Sequence, residues 1–240
     1  MPYNRAVHTK EARLRSVLCV PDTHFPFHHQ PTLTWIYEIA KERKPDIIFQ
    51  LGDLYDFFAS SRFARSHDVM TPKEEFEEGR MGAEAMWKNL RKASPKSMCI
   101  QIKGNHDVRP NKRLLELCPE LESLLDTDSL FKFPGVKTIL DPSEEVEIDG
   151  VVYIHGHYAK LGDHMNFFLQ PTVHGHTHKG GTIYKKIRGG TLWELDCGFA
   201  SDETTVPMRY GPTRRNHWTL GCGWVDAQGP QFLPAPPVKK

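Results

Sequence analysis

Five short segments of this 240-residue chain end in side chains able to bind a divalent cation. They are VPDTH with Asp22 and His24, LGDLYD with Asp53 and Asp56, KGNHD with Asn105, His106 and Asp107, IHGH with His155 and His157, and VHGHTH with His174, His176 and His178. Each follows closely on an apolar run. Carboxylates, imidazoles and one amide oxygen suit Mn²⁺, Fe or Zn²⁺, and no thiolate is placed for a softer site. A lone D-x-H or G-N-H is ordinary in any sequence. Five such segments, in order and each behind an apolar run, form a pattern. Two choices stay open at this level: His155 or His157, and His174 or His176.

The apolar runs are what must position these groups. SVLCV (Ser16 to Val20), DIIFQL (Asp46 to Leu51) and MCIQI read as buried strands. Between the first two, Pro31 to Lys44 is helical, with Leu33, Ile36, Tyr37 and Ala40 on one face and Pro31 in the first turn. Strand, helix and strand at this spacing make a parallel, right-handed βαβ unit. A long loop or short helix is expected from Phe57 to Pro72, then helices over Glu74–Lys92 and Asn111–Leu125. EVEIDG and VVYIHG read as a hairpin turning at Asp149-Gly150, and GTIYKKIRGGTLWELDCG as a second one turning at Gly189-Gly190. A last strand falls near TLGCGWVDAQG. Helices early and hairpins late predict an α/β fold of two packed sheets with helices outside. Residues 1–15 read as a surface arm, 16–228 as one domain and 229–240 as a Pro-rich flexible tail. In α/β proteins ligands gather beyond the carboxyl ends of strands, so the five segments are expected to converge. Gly52, Gly104, Gly156 and Gly175 suit sharp exits from those strands.

Bulk composition narrows the classes. Hydrophobic content of 39% and charged content of 25% are those of a globular domain, and a net charge of +1 gives no global pull toward nucleic acid or membrane. No run reaches the apolar length of a membrane span, and the first residues lack a signal-peptide core. The five cysteines form no C-x-x-C pair; Cys19 and Cys99 lie inside apolar runs, as expected for reduced thiols in a cytoplasmic protein.

The ordered set D-x-H, G-D-x-x-D, G-N-H-D, G-H and G-H-x-H resembles the binuclear metallophosphoesterase, or calcineurin-like phosphoesterase, family over Asp22 to His178. The resemblance implies a four-layered α/β/β/α sandwich of two mixed β-sheets flanked by helices, with two metal ions at the sheet edges. It assigns Asp22, His24 and His178 to one ion, Asn105, His155 and His176 to the other, and Asp53 to both. Manganese is the first choice, with iron, zinc or nickel as alternatives. The implied reaction is hydrolysis of a phosphate ester by a hydroxide bridging the ions, with His106 assisting the leaving group. Asp56 is the first choice to orient His106; Asp107 is the alternative or only fixes the turn. His157 is left as a group beside the ligands or in contact with substrate, and His8, His28, His29, His67, His164 and His217 as surface or packing residues.

One departure bears on the substrate. Protein phosphatases and dinucleotide-polyphosphate enzymes of the family read G-D-x-x-D-R-G, whereas here Asp56 precedes Phe57-Phe58. Substrate-contacting cations must come from elsewhere: Arg109, or Arg62 and Arg65 in the long loop. Arg209, Arg214 and Arg215, interleaved with Tyr210 and Trp218, and Phe63 beside Arg62 would suit nucleic acid, unless they are simply solvated. A phosphodiester is favoured over a monoester, either as the substrate of a nuclease of the DNA-repair exonuclease type or as a small cyclic or nucleotide diester. A non-catalytic scaffold on the same fold is the rival class. The sequence names no protein partner.

Overall fold

The computed structural model describes residues 14–61, 70–124, 126–208 and 217–238. The expected arm, Arg62, Phe63 and Arg65, and Arg209, Tyr210, Arg214 and Arg215 lie outside the described residues, apart from residues 14 and 15 of the arm.

Eleven strands among the described residues form two sheets. The first has the order β11 (Gly229–Pro234), β10 (Gly221–Asp226), β1 (Val17–Val20), β2 (Ile47–Gln50), β3 (Met98–Ile102), β4 (Val136–Ile139). β1 to β4 run parallel, and β10 and β11 are added antiparallel. The second has the order β5 (Val146–Ile148), β6 (Val151–Tyr153), β7 (Thr172–His174), β9 (Gly190–Asp196), β8 (Gly181–Ile187). Its central strands β6, β7 and β9 are parallel. Both sheets are therefore mixed.

Alternation along the strands explains the layering. Val17 and Cys19 face one way, and with Ile47, Phe49, Ile100 and Ile102 they meet Val151, Tyr153, Val173 and Leu195 of the second sheet. Leu18, Val20 and Ile48 face the other way, into a second core with α1 (Gln30–Arg43) and α2 (Pro72–Ala93). Both faces of β1 and β2 are buried, hence their unbroken apolar runs. Over the outer face of the second sheet, α4 (Asp163–Phe168) packs against β7 and β9.

Several boundaries move for local reasons. α2 begins at Pro72 because Thr71 and Glu74 form a reciprocal capping box: Glu74 N–H donates to Thr71 Oγ1 at 3.3 Å and Thr71 N–H to Glu74 Oε2 at 2.8 Å. The helix expected over Asn111–Leu125 is α3, Arg109–Leu117, followed by a 3₁₀ turn over Pro119–Leu124. Pro119 disfavours helical backbone at Cys118, where φ is −152° and ψ 67°. Strand β4 was not anticipated.

Residues 229–234, expected to belong to a loose tail, instead form β11 along all of β10, from Gly221 opposite Pro234 to Asp226 opposite Gly229. Prolines are tolerated because β11 is an edge strand. Phe232 lies against Gly180, Gly198 and Gly221, where added Cβ atoms would meet its ring. We predict that Phe232→Ala lowers unfolding free energy by about 2 kcal/mol, below the range for a fully buried Phe because this ring is half-buried. The measurement is the urea midpoint, and an unchanged midpoint would show that β11 adds nothing to the sheet.

Candidate metal centre

The ends of β1, β2 and β3 bring Asp22 and His24, Asp53 and Asp56, and Asn105 and His106 to one edge of the first sheet. The ends of β6 and β7 bring His155, and His176 with His178, to the facing edge of the second. The two edges are joined through the site itself. His155 Nδ1 lies 2.9 Å from Leu51 O, and His176 N–H donates to Asp22 Oδ2 at 2.8 Å.

Two groups of donors result. In one, His178 Nε2 is 2.9 Å from Asp22 Oδ2 and 3.3 Å from His24 Nε2. In the other, Asn105 Oδ1 is 2.9 Å from both His155 Nε2 and His176 Nδ1. Asp53 Oδ2 lies between them, 3.3 Å from His155 Nε2 and 3.9 Å from His24 Nε2. The seven residues expected at this centre are thus together.

Ring orientation follows from hydrogen bonds outside each group. His24 Nδ1 lies 3.1 Å from Asp56 Oδ1 and donates to it, leaving the Nε2 lone pair facing inward. His155 Nδ1 donates to a backbone carbonyl, with the same result at its Nε2. Asp22 Oδ1 is buried and has no hydrogen-bond partner among the described residues. A buried carboxylate oxygen without a donor is costly, and a cation between these groups would satisfy it. The donor set therefore fits hard or borderline divalent ions.

The backbone supports the same view. His24, Asp53, His176 and His178 have φ of 49°, 47°, 66° and 61°, a left-handed region that residues other than glycine seldom occupy. A Cβ on Gly104 would collide with Asp53, and one on Gly175 with Asp22 Oδ1, so both glycines are needed for close approach.

Charge is concentrated here. Burial raises the Asp53 carboxyl, but the charges of His155 and His106 outweigh it and hold the group well below the usual carboxylate range. Burial lowers His155, but Asp53 and Asp22 push it up to about 10. His176 falls to about 4 through burial and the neighbouring His155 charge.

Of the two carboxylates weighed as partner for His106, Asp56 is the one beside it, with Oδ1 2.8 Å from His106 Nδ1. Asp107 accepts from Gly104, Leu54 and Tyr55 N–H at 2.8, 3.2 and 2.9 Å, which ties the second and third loops together. Arg109 donates to Asp56 O at 2.9 Å and to His106 Nε2 at 2.8 Å. Phe57 is buried against Tyr55 and Phe76, so the departure from D-R-G places a core ring beside the site.

His174 and His157 lie apart from the donor groups. His174 is buried, with Nε2 3.0 Å from Glu194 Oε1 and Nδ1 2.8 Å from Gly175 O. Glu194 also accepts Gly162 and Met165 N–H at 2.8 Å each, and lies 3.4 Å from His164 Nδ1. His164 Nε2 accepts from the backbone N–H of His157 and Tyr158 at 3.1 and 3.2 Å. Every nitrogen of the His164 and His174 rings has a partner, so this cluster braces the His155 loop and leaves no lone pair for an ion. It was missed at the level of sequence; the signal was Glu194 inside the otherwise apolar LWEL of β9. A second missed support is Glu75, which accepts Phe58 and Ala59 N–H at 2.6 and 2.7 Å. Burial drives its carboxyl up to about 7 despite those bonds. Trp218, considered for stacking on nucleic acid, packs edge-on to His178 at 4.8 Å.

Two clefts open from the centre and share Asn105 and Lys112. One, of about 400 Å³, is lined by Ser60, Ser61, Arg109 and Arg113. The other, of about 390 Å³, is lined by His155, His157, Phe167 and Phe168.

No helix among the described residues is long and apolar enough to cross a membrane. No curated protein matches the sequence. Among solved structures, the chain is similar to YfcE, a phosphoesterase from E. coli, at 17% identity with 88% of each chain covered and a TM-score of 0.39. It is similar to TT1561 of Thermus thermophilus at 12% identity, 93% and 100% coverage and a TM-score of 0.42. Vps29 of Chaetomium thermophilum is similar at 11% identity, 94% and 97% coverage and a TM-score of 0.43. The profile of the calcineurin-like phosphoesterase family matches residues 15–223, nearly the whole chain, and the protein belongs to that family.

Proposed function

We propose that the protein is a dinuclear metal-dependent phosphodiesterase. The observation that carries this reading is Asp53 Oδ2, placed between a His24–Asp22–His178 group and a His155–Asn105–His176 group whose ligand atoms converge. Asp22, His24 and His178 would hold one divalent ion, Asn105, His155 and His176 the other, with Asp53 serving both; manganese is our first choice. Two such ions, when bound, supply Lewis-acid stabilisation of phosphoryl oxygens and a water of lowered pKa.

The chain's own residues account for the rest. His106 is buried beside the donor groups, 3.8 Å from Asp53 Oδ2 by its Nε2, with Nδ1 held by Asp56. That hydrogen bond fixes the ring and stabilises it when Nε2 carries a proton toward the leaving oxygen. Arg109 occupies His106 Nε2 in this structure, so its guanidinium must move its hydrogen bond to a substrate oxygen before His106 can donate. Asn105, a neutral donor, adds no negative charge that would repel phosphate. The paired clefts favour a diester over a monoester, because each ester substituent has somewhere to lie.

Metal-stripped protein reloaded with Mn²⁺ is expected to hydrolyse bis-p-nitrophenyl phosphate well above p-nitrophenyl phosphate. A monoester preference would point instead to a small-molecule phosphatase, and inactivity on both with two ions bound would favour a binding scaffold. Metal removal should lower thermal stability, since ions bound at hundredfold excess over Kd add about 2.7 kcal/mol per site. Asp22→Ala should abolish most of that shift, and a shift equal to wild type would remove Asp22 from the ligand set. His106→Ala is expected to lose about a hundredfold or more in kcat while retaining two ions by elemental analysis. Loss of metal in that variant would instead make His106 a ligand.

A further inference from the structure

The two clefts differ in chemistry. In the one beside His155, Phe167 is 61% exposed, with its ring 5.0 Å from Phe168 and 6.2 Å from His157. His157 lies 4.1 Å from Tyr158. An exposed phenyl ring gains little in folding, because it stays in water. At the mouth of a hydrolytic site it offers a face on which a planar group can stack. The backbone N–H bonds to His164 hold His157 and Tyr158 in place, so the aromatic wall is pre-formed.

The cleft beside Arg109 carries cations. Lys112 is exposed and makes no ion pair among the described residues, while Arg113 makes a half-exposed pair with Glu116 at 3.6 Å. Such a pair contributes little to stability and can be exchanged for a ligand anion. Lys112 borders both clefts and stands between the stacking wall and Arg113.

We infer that the substrate is a nucleotide phosphodiester bearing a second phosphate, with a base against His157, Phe167 and Phe168 and the second phosphate at Lys112 and Arg113. This rests on the phosphodiesterase reading, and identifies its substrate class by the complementarity of the two arms: a planar ring opposite an anion, joined through the scissile phosphate.

The test uses full-length, Mn²⁺-loaded protein and three dinucleotides, with bis-p-nitrophenyl phosphate as reference. The first is a thymidine dinucleotide carrying a terminal phosphate, the second its analogue lacking one base, and the third the same dinucleotide without the terminal phosphate. Removing the base is expected to lower kcat/KM about tenfold, in the range of one stacked base. Removing the terminal phosphate should cost about as much, and less at high salt. In Phe167→Ala the base penalty should disappear, and Phe167→Tyr should restore it. In a Lys112→Ala, Arg113→Ala double variant the phosphate penalty should disappear. Equal kcat/KM for all three dinucleotides, with bis-p-nitrophenyl phosphate still cleaved, would overturn the inference and leave the phosphodiesterase reading standing. So would a base penalty that persists in Phe167→Ala. If no diester is cleaved with two ions bound, the reading beneath it falls as well.

Discussion

Asp22 and Asp53 are buried carboxylates placed side by side where two β-sheets meet. Burying a charge costs several kcal/mol unless it is compensated nearby. Among the described residues, every ion-pair partner of these two groups is a histidine: His155 and His178 for Asp22, and His24, His106 and His155 for Asp53. Without an ion, a protonated His155 offsets part of this charge, as its raised pKa shows. Divalent cations would supply that compensation instead, with the imidazoles neutral and their lone pairs free to ligate. The fold supplies the remaining requirement, because donors as far apart in sequence as Asp22 and His178 can surround such ions only if five strand ends from the two sheets meet at facing edges.

Three other carboxylates serve the backbone. Asp107 gathers three N–H groups from the second and third loops, Glu75 gathers two from the turn after Asp56, and Glu194 gathers two around the start of α4. Each replaces a ladder that the loop cannot form, as buried N–H groups must be paired. The division is chemical. Asp107, Glu75 and Glu194 are spent on shape, whereas among the described residues Asp22 and Asp53 each accept only one backbone N–H and Asp22 keeps an oxygen with no donor. This also explains why left-handed backbone at His24, Asp53, His176 and His178 is sustained: the surrounding hydrogen bonds over-determine those loops.

The position after Asp56 shows how one substitution within a motif redistributes roles. Phe57 turns into the helix-side core where the related motif carries an arginine. Arg109, at the start of α3, reaches back to Asp56 and His106 from the other side. Among the described residues, the cations lining the two clefts therefore come from α3, and the aromatic rings from the second-sheet side. An asymmetric cleft is the outcome.

The sequence by itself determined the donor types, their order and the strands that carry them. The five donor-bearing segments were legible because apolar runs and glycine exits are local signals, whereas the choice of His155 and His176 within them came from the resemblance to the family. Also legible were the parallel βαβ unit and the turn at Asp149-Gly150, both residues having positive φ. Local signals misled where tertiary packing decided the outcome. Pro230 and Pro234 look like a loose tail, yet an edge strand needs hydrogen bonds on one side only, and Phe232 fills the space above three glycines. The spacing in VHGHTH does not say which histidine faces the site. His174 is drawn to Glu194, twenty residues on and in a neighbouring strand, and sheet pairing alone makes them neighbours. The preference for Asp56 over Asp107 likewise came from the family motif and not from local spacing, since the contact depends on loops from separate strands meeting. Residue chemistry and periodicity are written along the chain; which lone pair faces which atom is set only once the two sheets have packed.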